Sequence, residues 1–171
     1  PLVSDIHFNY KFALTAIEQG VDNVRLNPGN ISGLSGEFGS VGRARVKIVA
    51  EAAKAKGIAM RVGVNSGSVE KDHLEKHGYP KPECMVESAL RHCEWLEACG
   101  FRDIVVSIKQ TNTQWMIENY RLWAKESDIP THLGVTEAGL PGYGTLKSAI
   151  GIGSLLCDGI GDTIRVSLTG P

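Results

Sequence analysis

The 171-residue chain carries almost no net charge, no long apolar run and no closely spaced cysteine pair, and each shortage removes a class of function. Eighteen Lys and Arg stand against nineteen Asp and Glu, for a formal charge of -1. Such a balance offers no overall basic footprint, so nucleic acid and anionic membrane are poor partners and charge has to be read site by site. No stretch approaches the roughly 20 apolar residues of a membrane span, and no basic-then-apolar leader opens the chain, so an intracellular setting is expected. The four cysteines, Cys84, Cys93, Cys99 and Cys157, never fall in Cys-x-x-Cys spacing. Reduced thiols are expected, with no metal or iron–sulfur ligand set within the chain. No linker or low-complexity segment interrupts the sequence, and its 42% hydrophobic content suits one well-buried domain.

What is present is a repeated pattern. Six short apolar runs, Leu2–His7, Asn23–Asn27, Ala59–Asn65, Asp103–Lys109, His132–Glu137 and Thr163–Ser167, each carry polar residues toward their C-terminal ends. Strand side chains alternate faces, so residues two or four apart point the same way and all six polar sets could line one site. Helical patterns fill the gaps: Tyr10–Gln19, Gly42–Lys56, a helix from Pro82 to Gly100, Thr113–Lys125 and Thr145–Leu156. Strands separated by helices indicate βαβ crossovers and a parallel sheet. An open doubly wound sheet would read as nearly continuous hydrophobic strands. Polar residues within the second half of each run favour instead a (β/α)8 TIM-barrel type of α/β fold, whose active site lies at the carboxyl ends of its strands. Six strands are fewer than the eight such a barrel needs. Pro1 opens on strand sequence without a methionine and Pro171 follows the last run, so residues 1–171 are expected to be a partial barrel, six of eight strand–helix units.

Four cations, Arg25, Arg61, Lys109 and Arg165, would converge at the barrel mouth against two carboxylates, Asp5 and Glu137. Guanidinium groups bind phosphate oxygens bidentately and Lys acts as a point charge, so the set resembles a phosphate or diphosphate clamp. Structural ion pairing is the competing reading for each cation. Glu137 is placed to exchange a proton with a bound ligand, or alternatively to pair with Arg61 or Lys109. His7 could donate to a phosphate or shuttle a proton. Glycine-containing turns at Asn27–Asn30, Asn65–Ser68 and Gly139–Gly144 could present backbone amides, and the last leads to a helix start suited to an anion. His73, His77, His92 and His132 are given no role, and Trp95, Trp115 and Trp123 are read as helix-to-barrel packing.

The segments Ser4-Asp5-Ile6-His7-Phe8, Val24-Arg25-Leu26-Asn27-Pro28-Gly29-Asn30, Arg61-Val62-Gly63-Val64-Asn65-Ser66-Gly67-Ser68, Gly134-Val135-Thr136-Glu137-Ala138-Gly139 and Gly159–Ser167 closely resemble the 4-hydroxy-3-methylbut-2-enyl diphosphate synthases, and the resemblance runs in order from end to end. It implies a barrel that binds 2-C-methyl-D-erythritol 2,4-cyclodiphosphate and, with a [4Fe-4S] cluster, opens it reductively in isoprenoid precursor biosynthesis by the methylerythritol phosphate pathway. Carried over residue by residue, the substrate contacts fall on His7, Arg25, Asn27, Arg61, Asn65, Lys109, Arg165 and Ser167. Asp5 falls behind them, holding His7 or an Arg, and the acidic residue beside the reacting hydroxyl falls on Glu137. The resemblance further implies a bacterial cytoplasmic oxidoreductase, reduced flavodoxin or ferredoxin as electron donor, and a homodimer. Its cluster would sit on a C-terminal iron–sulfur domain outside these residues, so the chain alone is expected to give no redox turnover. A pterin-binding transferase barrel would use similar Arg and Lys positions without a cluster, and a silent fragment would bind anionic diphosphates without chemistry.

Overall fold

The structure is a computed structural model that describes residues 1–31 and 40–170; Pro171, expected to follow the last strand directly, lies outside them. Six strands alternate with helices: β1 (Val3–Ile6), α1 (Tyr10–Glu18), β2 (Asn23–Leu26), α2 (Pro28–Ile31), α3 (Ser40–Lys56), β3 (Ala59–Asn65), α4 (Lys71–His77), α5 (Pro82–Ala98), β4 (Ile104–Lys109), α6 (Thr113–Glu126), β5 (His132–Leu133), α7 (Tyr143–Cys157) and β6 (Thr163–Ile164). The strands run parallel in the order β1-β2-β3-β4, with a second pair β5-β6. Two bridges, Val106 to Thr131 and Gln110 to Val135, carry the same parallel direction from β4 to β5. Among the described residues β1 and β6 each have one hydrogen-bonded neighbour.

The ladder thins between β4 and β5 because a side chain enters it. Tyr120 of α6 is wholly buried; its hydroxyl accepts from the Ile108 N–H at 2.9 Å and donates to the His132 carbonyl at 2.7 Å. A phenol thus replaces a direct backbone bond and satisfies both groups. For this reason the expected run His132–Glu137 is regular only over two residues. The run Thr163–Ser167 is likewise shortened: with one neighbour, β6 continues beyond Ile164 only through Arg165 N–H to Leu133 O at 2.9 Å.

The helices lie where apolar periodicity placed them, with α3 and α7 each starting two residues earlier than expected. The short α2 and α4 were not anticipated. Pro28 opens α2, and Gly78 closes α4 in the left-handed conformation (φ 72°) that glycine tolerates. The core lies between strands and helices, with Val24, Met60, Val106 and Ile108 from the sheet against Ala13, Val49, Met85, Ala89 and Met116 from α1, α3, α5 and α6. Trp123 is fully buried. Trp95 stacks edge-on against His92 at 4.6 Å, and Trp115 meets Tyr79 at 5.3 Å.

Candidate functional site: a cationic cleft at the strand ends

Register decides which polar residues meet. Asp5, Arg25 and Arg61 are Cα partners in one row across β1, β2 and β3, and Asn65 pairs with Lys109 in a row nearer the strand ends. Arg61 is only the third residue of β3, so it rises from the first half of its strand rather than from the end as the sequence suggested; its long side chain reaches the floor of the site. There a cleft of about 290 Å³ is lined by Asp5, His7, Arg25, Arg61, Asn65, Lys109, Thr136, Glu137, Arg165, Ser167 and Thr169. Nine of the ten residues singled out in the sequence therefore share one cavity. Asn27 is the tenth; it lines an adjoining recess with His7, Asn65 and Glu137, and donates to Ser68 Oγ at 2.7 Å.

The floor is positive and buried. Arg25, Arg61 and Lys109 are each less than a tenth exposed. Arg25 donates to Asp5 Oδ1 at 2.7 Å and to Gly63 O at 3.3 Å. Gly63 is the residue that admits it, because a Cβ there would lie 2.9 Å from Arg25 Cζ. With its amide turned to suit its neighbours, Asn65 accepts from Arg25 at 3.1 Å. Arg61 donates to His132 Nδ1 at 3.2 Å, and its own Nε is buried without a partner. An arginine has only donors, so His132 Nδ1 accepts and the imidazole is neutral. Burial, with Arg61, Lys109 and Arg165 nearby, pushes His132 down to about 4.

Lys109 responds in the same way. Burial and the cations Arg165, Arg61 and Arg25 lower its ammonium pKa to about 8. Burial lowers Arg61 as well, with Arg25 adding to it. For Asp5, burial opposes ionisation, but Arg25 beside it outweighs this and holds the carboxyl below its usual range. His7 stands 3.8 Å from the same carboxylate. Of the two candidates the sequence reading gave Asp5, the Arg is held by a hydrogen bond and His7 lies nearby without one.

Glu137 and Arg165 occupy the exposed rim. Glu137 forms no ion pair among the described residues, so neither proposed pairing, with Arg61 or Lys109, is present. It is also the one non-glycine residue with positive φ (53°) among those described. Non-glycine residues are held in that region at a cost on the order of 1 kcal/mol, and such strain concentrates where a side chain must be aimed. The glycine turn Gly139–Gly144 and the start of α7 contribute nothing to the cleft lining; Gly139 instead accepts from Thr169 N–H at 2.9 Å.

All 171 residues match the family model of the GcpE TIM-barrel domain. The chain belongs to the GcpE TIM-barrel family. Its curated relatives include the proteins named 4-hydroxy-3-methylbut-2-en-1-yl diphosphate synthase (flavodoxin) of Clostridium perfringens, 55% identical over 170 residues, 99% of this chain and 46% of that one. The protein of the same name from Fusobacterium nucleatum is 56% identical over 99% of this chain and 45% of its own length. That of Symbiobacterium thermophilum is 52% identical over 99% and 43%. The chain therefore spans a little under half the length of the curated relatives it matches. In fold, this GcpE barrel chain is similar to the crystal structure of 2,3-dimethylmalate lyase, a PEP mutase/isocitrate lyase superfamily member, with TM-score 0.57 at 13% identity over 96% of this chain and 56% of that one.

Two cleft residues of the GcpE chain, Thr136 and Thr169, and the Arg61 partner His132 escaped the sequence reading. His132 was left without a role; alternation puts it on one face with Gly134 and Thr136, but only the packing of β5 near β3 brings it to Arg61. Thr136 was noted at a strand end but not chosen. Thr169 lies past the last strand, where no periodic signal exists.

Proposed function

We propose that this chain is the substrate-binding barrel of a 4-hydroxy-3-methylbut-2-enyl diphosphate synthase, an oxidoreductase of isoprenoid precursor biosynthesis acting on 2-C-methyl-D-erythritol 2,4-cyclodiphosphate. The observation that carries the reading is the convergence of Arg25, Arg61, Lys109 and Arg165 on one cleft, with the Arg61 Nε unpartnered and the Lys109 ammonium pKa lowered to about 8 by burial and its cationic neighbours. A bound anion would relieve that arrangement, and two linked phosphates match four cations better than one carboxylate would. The family match and the shared name of its relatives support the same assignment.

In this reading Arg25 and Arg61 grip phosphate oxygens from the floor, Lys109 supplies a point charge, and Arg165 and Ser167 close the rim. Asp5 keeps Arg25 and His7 oriented. Asn27 and Asn65 take ring hydroxyls from the side of β2 and β3. Glu137, free of cationic partners and aimed by its backbone, exchanges the proton that accompanies loss of the substrate oxygen as water. Closure of the six strands into an eight-stranded barrel, a homodimer, a bacterial cytoplasmic setting and reduction by flavodoxin or ferredoxin belong to the same proposal.

The enzyme's [4Fe-4S] cluster would supply the electrons. The described residues do not fit it: Cys84 and Cys93 are buried on α5, where burial pushes their thiols up to about 11 and 12, and no cysteine lines the cleft. The thiolate ligands a cluster needs would come from outside residues 1–171. Calorimetric titration of the cyclodiphosphate into the purified chain tests the binding role. Saturable binding that weakens with salt and is lost in Arg61→Ala and Arg165→Ala is expected; an unaltered dissociation constant in both variants refutes the clamp.

A further inference from the structure

Outside the cleft, His73 and His77 lie four residues apart on α4 and face Glu87 of α5. His77 Nε2 is 3.0 Å and His73 Nδ1 3.6 Å from the same carboxylate oxygen, Glu87 Oε2. One ligand atom from each residue lies within 4.8 Å of the other two. We propose that His73, His77 and Glu87 form a binding site for a divalent transition-metal ion of the Zn²⁺ class, which on binding staples α4 to α5.

The geometry suits such an ion with little movement. Tetrahedral ligation at about 2.0–2.1 Å places ligand atoms about 3.3 Å apart, a value between the two distances to Glu87. Two His at i and i+4 present their rings on one helical face, as paired zinc ligands on a helix must. Two imidazoles and one carboxylate select Zn²⁺, Cu²⁺ or Ni²⁺ over the oxygen-seeking Mg²⁺ and Ca²⁺. His73 is almost wholly buried, and its burial favours the neutral ring with a lone pair to offer. Glu87 is about a third exposed, so the fourth position opens to water.

The competitor already in place is Lys76, whose ammonium donates to both Glu87 oxygens at 2.8 and 2.7 Å. It is a largely exposed side chain on a flexible stem and can swing into solvent when a stronger cation arrives. Surrounding charge is balanced. Asp72 is bound to Arg91 at 2.7 Å, Glu70 lies behind, and Arg43 of α3 lines the same outer recess as His73 and Glu87. His73 Nε2 has no partner, and a zinc-binding imidazole normally gives its second nitrogen to an acceptor. That missing acceptor weakens the site relative to one whose imidazoles are both held from behind.

The test is titration of Zn²⁺ alone into chelator-treated protein by calorimetry, with Co²⁺ absorption to report the ligand set. One ion per chain is expected, weakened at least tenfold in His77→Ala and in Glu87→Gln, and strengthened in Lys76→Met, which removes the competing ammonium. A Zn²⁺ concentration about 100 times the dissociation constant should raise the Tm by roughly 5–10 °C in the unaltered protein and not in His77→Ala. Absence of binding, binding unchanged in both ligand variants, or binding lost in Cys157→Ser overturns the proposal. If His77→Ala fails to fold, the Lys76→Met arm decides, since equal or weaker binding there removes the argument.

Discussion

Lys109 should make anion binding a proton-uptake reaction. Its ammonium sits near a pKa of 8 in the free cleft because burial and three guanidinium groups disfavour the charge, against an ordinary value of 10.5. A diphosphate seated among the same groups supplies negative charge in contact with Nζ, and the ammonium returns toward its ordinary pKa. At pH 8 about half of the free chains lack this proton, so each binding event should take up about 0.5 proton. The figure falls to about 0.1 at pH 7 and rises to about 0.9 at pH 9. Affinity then declines by up to tenfold per pH unit between about 8 and 10.5, a total on the order of 3 kcal/mol if the shift is fully reversed. For the unliganded chain the sign is opposite. The unfolded lysine holds its proton between pH 8 and 10.5 while the folded one has lost it, so this group makes the free protein more stable as pH rises through that window. Calorimetry at pH 8 in buffers of different ionisation enthalpy measures the uptake directly. Lys109→Arg keeps a positive charge that does not titrate and should abolish the uptake while retaining much of the binding. No uptake in the unaltered chain, or equal uptake in Lys109→Arg, refutes the reasoning.

Gly63→Ala places a methyl group against the Arg25 guanidinium, and diphosphate binding should fall at least tenfold while Gly67→Ala, which meets open space, leaves it unchanged; equal affinities for the two variants would count against the proposed seat of Arg25. Tyr120→Phe leaves the Ile108 N–H and the His132 carbonyl without their shared partner, so chemical denaturation should report a loss of about 1–3 kcal/mol, and no loss would mean the two strands close on each other unaided. Glu70 is buried and, although burial opposes its charge, accepts from His92 and from Ser88 (2.6 Å), which holds its pKa at about 2; its stabilising contribution is complete above about pH 4.5 and should disappear as pH falls from there toward 2, a dependence absent from Glu70→Gln. In a complete synthase carrying this barrel, Glu137→Gln should lower kcat far more than it weakens substrate binding; turnover equal to the unaltered enzyme would remove its proton-transfer role.

The sequence alone established the alternation of strand and helix, because periods of 2 and 3.6 are local properties of the apolar pattern. It also placed polar residues at the strand ends, and the order of its motifs carried the family. It could not establish register. Whether Asp5 meets Arg25, or whether Asn65 stands beside Lys109, depends on how strands shear past one another, and no residue encodes that individually. The role of Gly63 was equally hidden, since a glycine inside a strand becomes meaningful only when the Arg25 side chain lies across it. Tyr120 carried no signal of its own within the α6 pattern, yet its hydroxyl joins β4 to β5. The His73, His77 and Glu87 cluster arises from the packing of α4, a helix too short to announce itself, against α5. Local periodicity thus determined the parts, whereas lateral register and side-chain reach between distant segments decided which charges share one cavity.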